Sequence, residues 1–153
     1  MKIKGLISED LVNYKKPSMT IIFPYCTFKC GEGYCQNSEL AKAPIIELNI
    51  NNLVDRYINN PITEAVVMQG LEPFDSWNDL IEFVKQLRES TDDDIVIYTG
   101  YYKEEIIDKV EILRKYKNII IKYGRFLYND KPIFDDILGI TLASSNQYAE
   151  RIS

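Results

Sequence analysis

Residues Ser18-Met-Thr-Ile-Ile-Phe-Pro-Tyr-Cys-Thr-Phe-Lys-Cys-Gly-Glu-Gly-Tyr-Cys35 join an apolar run to a loop that contains all three cysteines of the chain. The first six of these residues are mostly apolar and β-branched, which is typical of a buried strand. Pro24 ends the run, so the cysteine loop follows the carboxyl end of a core strand. Parallel α/β folds place their chemistry at that end of their strands. The stretch therefore predicts an α/β fold with a functional loop.

The cysteine loop predicts a metal centre. Cys26, Cys30 and Cys35 lie at short, unequal spacing, and the chain has no histidine. Three thiolates can ligate three corners of a cubane [4Fe–4S] cluster, although iron–sulfur proteins usually supply four. Such a cluster keeps one iron open to a ligand that is not protein. The same cysteines are also compatible with zinc bound through three thiolates and a carboxylate, or with redox-active or inert thiols.

The composition is that of a soluble globular domain. With 153 residues, of which 46% are hydrophobic, the chain is predicted to form one domain over residues 1–153. The net charge of −5 argues against a nucleic-acid-binding surface, which would be basic. No apolar run approaches the roughly 18 residues of a membrane span, and the first residues lack the apolar core of a signal peptide. We therefore expect a cytoplasmic protein without nucleic-acid or membrane partners.

Strand and helix patterns alternate along the chain. Apolar runs predict four buried strands, at residues 18–23, 64–68, 95–98 and 118–122, and helical spacing predicts helices at 53–58, 77–87 and 104–116. Ser8-Glu-Asp10 is predicted to be a turn, and the residues after Pro132 a polar tail that ends at 143–147. This alternation predicts parallel strands joined by right-handed crossovers. The units are too few for an eight-unit barrel of about 250 residues, so we expect a half-barrel or an open sheet.

The loops that follow the predicted strands are expected to converge. Because parallel strands end at one rim, the loops at Cys26, Gly70 and Thr99 should form a single site. Gly70 permits close backbone approach, and Glu72 can hold a positively charged group such as an ammonium. A simpler alternative is that Gly70 and Pro73 make a tight turn while Glu72 favours a helix N-terminus.

Five segments carry a resemblance to a known family. They are the cysteine loop 26–35 with Tyr34 before its third cysteine and Asn37 after it, Gly-Leu-Glu-Pro at 70–73, Tyr-Thr-Gly-Tyr at 98–101, Gly-Arg-Phe at 124–126 and Ser-Ser-Asn-Gln at 144–147. In this order they resemble motifs of the anaerobic ribonucleotide reductase-activating proteins, which belong to the radical SAM superfamily. The resemblance covers essentially residues 18–147.

Two positions depart from the family pattern. The family has Cys-x3-Cys-x2-Cys, whereas four residues separate Cys30 from Cys35 here. Glycines at positions 31 and 33 are expected to let the extra residues bulge out, so that all three sulfurs can still reach a cluster. Leu71 replaces the second glycine of a Gly-Gly-Glu-Pro turn and should narrow the space beside a bound methionine group.

The resemblance implies a fold, two cofactors and a set of site residues. The fold would be a partial (β/α) barrel of the small radical SAM type, with a mainly parallel sheet and helices on the outside. The cofactors would be a [4Fe–4S] cluster, ligated by the three cysteines, and S-adenosylmethionine. The residues near S-adenosylmethionine would be Tyr34, Gln36, Gly70, Leu71, Glu72 and Thr99. No protein group is nominated as a catalytic base.

The resemblance also implies a reaction and partners. A reduced cluster would transfer one electron to the sulfonium of S-adenosylmethionine, giving methionine and a 5′-deoxyadenosyl radical. That radical would remove a hydrogen from a glycine of a large glycyl radical enzyme, the catalytic subunit of an anaerobic ribonucleotide reductase. A flavodoxin- or ferredoxin-type protein would donate the electron. The alternative is a diverged cluster- or zinc-binding module that serves electron transfer or protein interaction without radical chemistry.

Overall fold

The fold is built on a six-stranded mixed sheet. The structure is a computed structural model that describes residues 1–27 and 29–153. Its strands are β1 (Lys2–Ile3), β2 (Gly5–Asp10), β3 (Ser18–Phe23), β4 (Ile46–Glu47), β5 (Ala65–Gly70), β6 (Asp94–Tyr98), β7 (Ile119–Tyr123), β8 (Ile133–Asp135), β9 (Ile140–Leu142) and β10 (Tyr148–Arg151). The large sheet has the order β10-β7-β6-β5-β3-β2, while β1 pairs with β4 and β8 with β9. The four central strands are parallel, and both edge strands are antiparallel to their neighbours.

Three α-helices cover one face of this sheet. They are α1 (Ile50–Ile58), α2 (Trp77–Arg88) and α3 (Ile107–Leu113), and short 3₁₀ turns lie at Glu32–Tyr34, Ser38–Lys42, Pro73–Ser76 and Lys103–Ile106. Their apolar residues, such as Tyr57, Phe83 and Leu113, pack in one core with the strand side chains of that face. None of the described helices is long and apolar enough to cross a membrane.

A second, smaller core lies on the opposite face. There Val67, Val96 and Ile120 of the central strands pack against Tyr14 and Leu138. Because side chains alternate across a strand, Lys122 lies on the same face as Ile120, two positions earlier in β7. Leu142 belongs to this core and, with the residues next to it, also lines the cavity at the carboxyl ends of the strands.

The predicted α/β class and the mainly parallel sheet are confirmed. The apolar runs became the four parallel strands because their side chains are buried on both faces of the sheet, as in β7, where every residue is buried. In the described residues the sheet is open, because its edge strands β10 and β2 stand at opposite ends of the strand order. Closure into a barrel of the radical SAM type is therefore not observed.

Two sequence predictions about local structure are wrong. Ser8–Asp10 is not a turn, because β2 runs through these residues with an irregular register between Ile7 and Asp10. The residues after Pro132 are not a polar tail: they form the hairpin β8–β9 and then β10, which pairs with β7. Short strands of this kind form because a partner strand offers unpaired backbone groups, and a local pattern does not reveal such a partner.

Candidate metal centre

The loops at the carboxyl ends of the parallel strands border one cavity of about 310 Å³. All three cysteines line it, and so do Gln36, Gly70, Leu71, Glu72 and Thr99. The predicted convergence of the loops after β3, β5 and β6 is thus observed. Tyr34 does not line the cavity. Its side chain is 59% exposed, and its ring centroid lies 5.2 Å from that of Tyr128.

The longer second gap of the cysteine loop is taken up by a 3₁₀ turn over Glu32–Tyr34. Gly31 begins this turn with a φ of +87°, a conformation that side chains other than glycine rarely adopt. The amide of Cys35 donates a hydrogen bond to the carbonyl oxygen of Gly31 at 3.1 Å, which closes the turn. The extra residues therefore bulge out as expected, and Cys30 and Cys35 face the same cavity.

Two of the thiols lie close enough to influence each other electrostatically. Burial raises the pKa of the Cys30 thiol, and the neighbouring Cys35 raises that pKa further. The Sγ atom of Cys35 accepts a hydrogen bond from the amide of Asn37 at 3.4 Å. Metal ligation requires thiolates, so bound iron would have to compensate the cost of ionising these two neighbours.

Gly70 allows the second loop to approach the first. Its φ is +105°, and a Cβ atom at this position would lie 2.5 Å from Cγ2 of Ile22 and 3.0 Å from the amide nitrogen of Phe23. The side-chain amide of Asn37 donates a hydrogen bond to the carbonyl oxygen of Gly70 at 2.7 Å. This contact ties the residues after the third cysteine to the end of β5.

Glu72 is almost completely buried between the second and third loops, with 3% of its surface exposed. Its Oε1 accepts hydrogen bonds from the amide of Phe74 at 3.1 Å and the hydroxyl of Thr99 at 2.8 Å. Its Oε2 accepts one from the amide of Gly100 at 2.8 Å. Burial raises the pKa of Glu72 to about 7, although the three hydrogen bonds oppose that shift. The bond to Phe74 caps the 3₁₀ turn Pro73–Ser76, as the simpler interpretation predicted.

Two cations of the cavity were missed in the sequence. Lys122 at the end of β7 is only 7% exposed, and its ammonium donates a hydrogen bond to the carbonyl oxygen of Gly124 at 3.2 Å. Burial lowers the pKa of Lys122 to about 8, against the opposing charges of Glu72 and Cys30. Arg125 also lines the cavity and pairs with Glu105 at 2.5 Å. A lysine at an inward position of an otherwise apolar strand is the signal that could have identified Lys122.

The last two segments of the resemblance contact each other. Gln147 accepts hydrogen bonds from the amides of Ala143 and Ser144, and its side-chain amide donates to the carbonyl oxygen of Gly124 at 3.2 Å. The side-chain amide of Asn146 donates to the carbonyl oxygen of Arg125 at 2.8 Å. The segment 144–147 therefore holds the loop after β7 in place beside the cavity.

A larger groove of about 820 Å³ lies outside this cavity. Phe74, Trp77 and Lys109 line it, and Cys26 is the one cysteine that reaches it. Since a centre built from the thiols requires all three of them, we assign the candidate metal centre to the cavity at the strand ends.

Residues 18–147 match the family model described as the 4Fe-4S single cluster domain. The chain belongs to this family. No curated protein and no solved structure matches the chain. The matched region contains the three cysteines and the four parallel strands that border the cavity, so the cavity lies within the part of the chain that defines this 4Fe-4S single cluster domain.

The residues around the cavity fit the cluster that the 4Fe-4S single cluster domain family implies. Three thiols face one cavity, and one of their sulfurs accepts an amide hydrogen bond. Lys122 and Arg125 line the same cavity, so their positive charges would lie near the negative charge of bound thiolates and sulfide. Among the described residues, no group of three or more Cys, Asp or Glu side chains is close enough to hold a single metal ion. A cubane is larger than one ion and keeps its thiolates further apart.

Proposed function

We propose that the chain holds a [4Fe–4S] cluster through Cys26, Cys30 and Cys35 and cleaves S-adenosylmethionine reductively. One observation carries this proposal: the three cysteines share a single cavity with the Gly70 turn and Thr99, at the carboxyl ends of parallel strands. When bound, the cluster would supply the electron that splits the sulfonium into methionine and a 5′-deoxyadenosyl radical.

Glu72 is suited to hold the ammonium of the methionine group. A carboxylate oxygen has two lone pairs, and Oε1 already accepts two hydrogen bonds. Oε2 accepts one, from Gly100, so it can accept a second from a cationic ligand. Burial strengthens such a charged contact because water does not screen it.

The other lining residues would position the ligand and exclude water. The backbone at Gly70 comes close to the cavity, and the Leu71 side chain adds apolar surface beside the methionine group. Gln36 and Thr99 offer polar groups from the first and third loops. Because Tyr34 lies outside the lining, it can approach S-adenosylmethionine only if the adenine extends beyond these residues. No protein base is needed, since the hydrogen is removed by the deoxyadenosyl group.

We further propose that the substrate is a glycine of a large glycyl radical enzyme, the catalytic subunit of an anaerobic ribonucleotide reductase, with a flavodoxin- or ferredoxin-type electron donor. The support is the ordered series of five motifs, two of which are joined by the contacts of Asn146 and Gln147 with the loop after β7.

Anaerobic reconstitution with iron and sulfide tests the first proposal. We expect about four irons per chain and, after reduction with S-adenosylmethionine, release of 5′-deoxyadenosine. Cys35→Ala should lose both, whereas Ser38→Ala, which alters a residue outside the cavity lining, should keep both. A cluster without cleavage would favour an electron carrier, and one tightly held zinc without iron would refute the proposal.

Mixing the reduced, loaded protein with an anaerobic ribonucleotide reductase catalytic subunit tests the partner. A glycyl radical signal in electron paramagnetic resonance, dependent on S-adenosylmethionine, is the expected result. Release of 5′-deoxyadenosine without any radical on the reductase would contradict the partner and leave the cleavage reaction intact.

A further inference from the structure

Tyr101, in the loop after β6, lies beside the first part of the cysteine loop. It packs against the large core, its amide donates a hydrogen bond to the hydroxyl of Thr99 at 3.0 Å, and its carbonyl oxygen accepts one from the amide of Gly124 at 3.1 Å. Its side chain therefore extends from a well-anchored backbone. Together with Cys26 and Cys30, Tyr101 lines a small cavity of about 30 Å³, so it is a neighbour of two of the three cysteines.

The hydroxyl of Tyr101 acts on this loop through Asp75. It donates a hydrogen bond to Oδ1 of Asp75 at 2.6 Å, while Oδ2 of the same carboxylate accepts one from the backbone amide of Thr27 at 2.9 Å. Because a carboxylate is planar and rigid, a donor that fixes one oxygen also fixes the direction of the other. The tyrosine hydroxyl thus orients the group that holds the backbone directly after Cys26.

The ring of Tyr101 acts on the other end of the same segment. Nζ of Lys29 lies 4.6 Å from the ring centroid, within the range of a cation–π contact. Lys29 also pairs with Glu105 at 3.5 Å, and Glu105 pairs with Arg125 of the loop after β7. The residue directly before Cys30 is therefore held beside the same tyrosine.

We propose that Tyr101 is a positioning residue for the cluster: through Asp75 and Lys29 it fixes the backbone next to Cys26 and Cys30 before iron is bound. This inference rests on the part of the proposed function in which the three cysteines hold the cluster, and it does not depend on the reaction with S-adenosylmethionine. A loop that is already ordered loses less conformational entropy when the cluster binds. Tyr101 should therefore slow the loss of iron.

Release of iron to a chelator from the reconstituted, anaerobic protein tests the inference. Tyr101→Phe keeps the ring and removes only the hydroxyl, and we expect it to release iron roughly 10-fold faster, the effect of losing one hydrogen bond to a carboxylate. The electron paramagnetic resonance spectrum of its reduced cluster should also change in shape, because the thiolates are held in a different geometry. Tyr101→Leu removes the ring as well and should release iron faster still.

A double variant tests the route through Asp75. If the hydroxyl of Tyr101 acts by orienting this carboxylate, Tyr101→Phe should add little to the effect of Asp75→Asn, and the double variant should release iron at about the rate of Asp75→Asn alone. Effects that multiply in full would overturn the route through Asp75.

Tyr148→Phe is the matched control. It removes a hydroxyl from β10, where the ring of Tyr148 packs against Tyr123, and it should keep the iron release and the spectrum of the wild type. Urea unfolding of the cluster-free variants provides the second comparison. A Tyr101→Phe protein that is less stable but has wild-type iron release and a wild-type spectrum would show that Tyr101 serves only the fold.

The outcomes separate this inference from the proposed function. Wild-type iron release in Tyr101→Phe would overturn the role of Tyr101, even if the wild type cleaves S-adenosylmethionine. Faster release and an altered spectrum in Tyr101→Phe would support that role, even if the wild type releases no 5′-deoxyadenosine and the cleavage reaction is refuted. A wild type that binds no iron after reconstitution would refute both.

Discussion

Burial disfavours the charged forms of two residues that line the cavity, Glu72 and Lys122. It raises the pKa of Glu72 to about 7 and lowers the pKa of Lys122 to about 8. Each group therefore sits near the pH at which it changes charge.

Glu72 should make stability depend on pH. Its pKa in the folded protein is about 7, against an ordinary 4.5, so protonation favours the folded state. Its contribution is full below pH 4.5 and is lost as the pH rises through 7, by up to about 3 kcal/mol in the free energy of unfolding. Glu72→Gln does not titrate, so its free energy of unfolding should not show this decrease with pH. The measurement is urea unfolding of the cluster-free protein between pH 5 and 8.

The control for this experiment is Glu104→Gln, at an exposed position on the surface. It should keep the slope of the wild type. A Glu72→Gln protein with the wild-type slope would show that another group causes the pH dependence.

At the scale of elements, the close pairing of β3 with β5 brings the first two loops together. The parallel register continues to the pair Phe23 and Gly70 at the carboxyl end. Gly70 turns there with a positive φ against Ile22, and Asn37 reaches across to its carbonyl oxygen. The position of the Cys30–Cys35 part of the loop thus depends on a glycine in another loop.

Replacing Gly70 with alanine should disrupt the contact between the loops that follow β3 and β5. The variant combines an unfavourable positive φ with a Cβ atom 2.5 Å from Cγ2 of Ile22. We expect Gly70→Ala to lose at least about 2 kcal/mol in the free energy of unfolding, measured by urea denaturation. It should also hold less iron after reconstitution, because the loops no longer meet in the same way.

Gly33→Ala is the matched control in the cysteine loop. A Cβ atom at Gly33 meets nothing within 4 Å, so its stability should stay within about 0.5 kcal/mol of the wild type. Equal stability of the two alanine variants would contradict the role given to Gly70.

At the scale of the whole molecule, Asp94 joins distant parts of the chain at the end of the sheet opposite the cavity. It accepts hydrogen bonds from Tyr14 at 2.9 Å, from Lys16 at 2.6 Å and from Arg151 at 2.9 Å. Burial alone would raise the pKa of Asp94, but these three donors hold it at about 2. The N-terminal segment, β6 and β10 are thereby tied to one carboxylate.

Protonation of Asp94 at low pH should weaken these three contacts and lower the free energy of unfolding. Because the pKa of Asp94 is lowered in the folded protein, its contribution is full above pH 3.8 and is lost as the pH falls through 2. Allowing for solvent around the half-exposed Lys16 and Arg151, we expect a loss of about 1–2 kcal/mol. Asp94→Asn should show that loss already at pH 7 in urea unfolding, with a flatter profile below pH 4.

Asp92→Asn is the control, since Asp92 and Lys117 form an exposed pair. Its stability should stay close to that of the wild type, because water and salt screen an exposed pair. A similar loss for Asp92→Asn and Asp94→Asn would mean that the net charge of the protein, and not the contacts of Asp94, determines its stability in acid.

Much of the framework was accessible from local sequence patterns. The four apolar runs predicted the parallel strands because a strand buried on both faces has to be apolar throughout. The glycine content of the cysteine loop predicted its bulge, since positive φ at Gly31 is a local property. The convergence of the loops followed from parallel connectivity, which places the carboxyl ends of strands on one rim.

Other features depend on contacts between distant residues. The sheet gains β10 because β7 leaves an edge unpaired, and no pattern within Tyr148–Arg151 contains that information. Tyr34 lies against Tyr128 and outside the cavity, although Cys35 and Gln36, which follow it in the sequence, line the cavity.

The sequence alone determined the parallel core and placed the cysteines at its carboxyl edge, because burial periodicity and backbone freedom are encoded residue by residue. Only the tertiary structure showed that Glu72 is buried among three donors and that Lys122 shares its cavity without an ion-pair partner in the described residues. Burial and pairing of a charge depend on which distant groups surround it, and packing of the whole chain decides that.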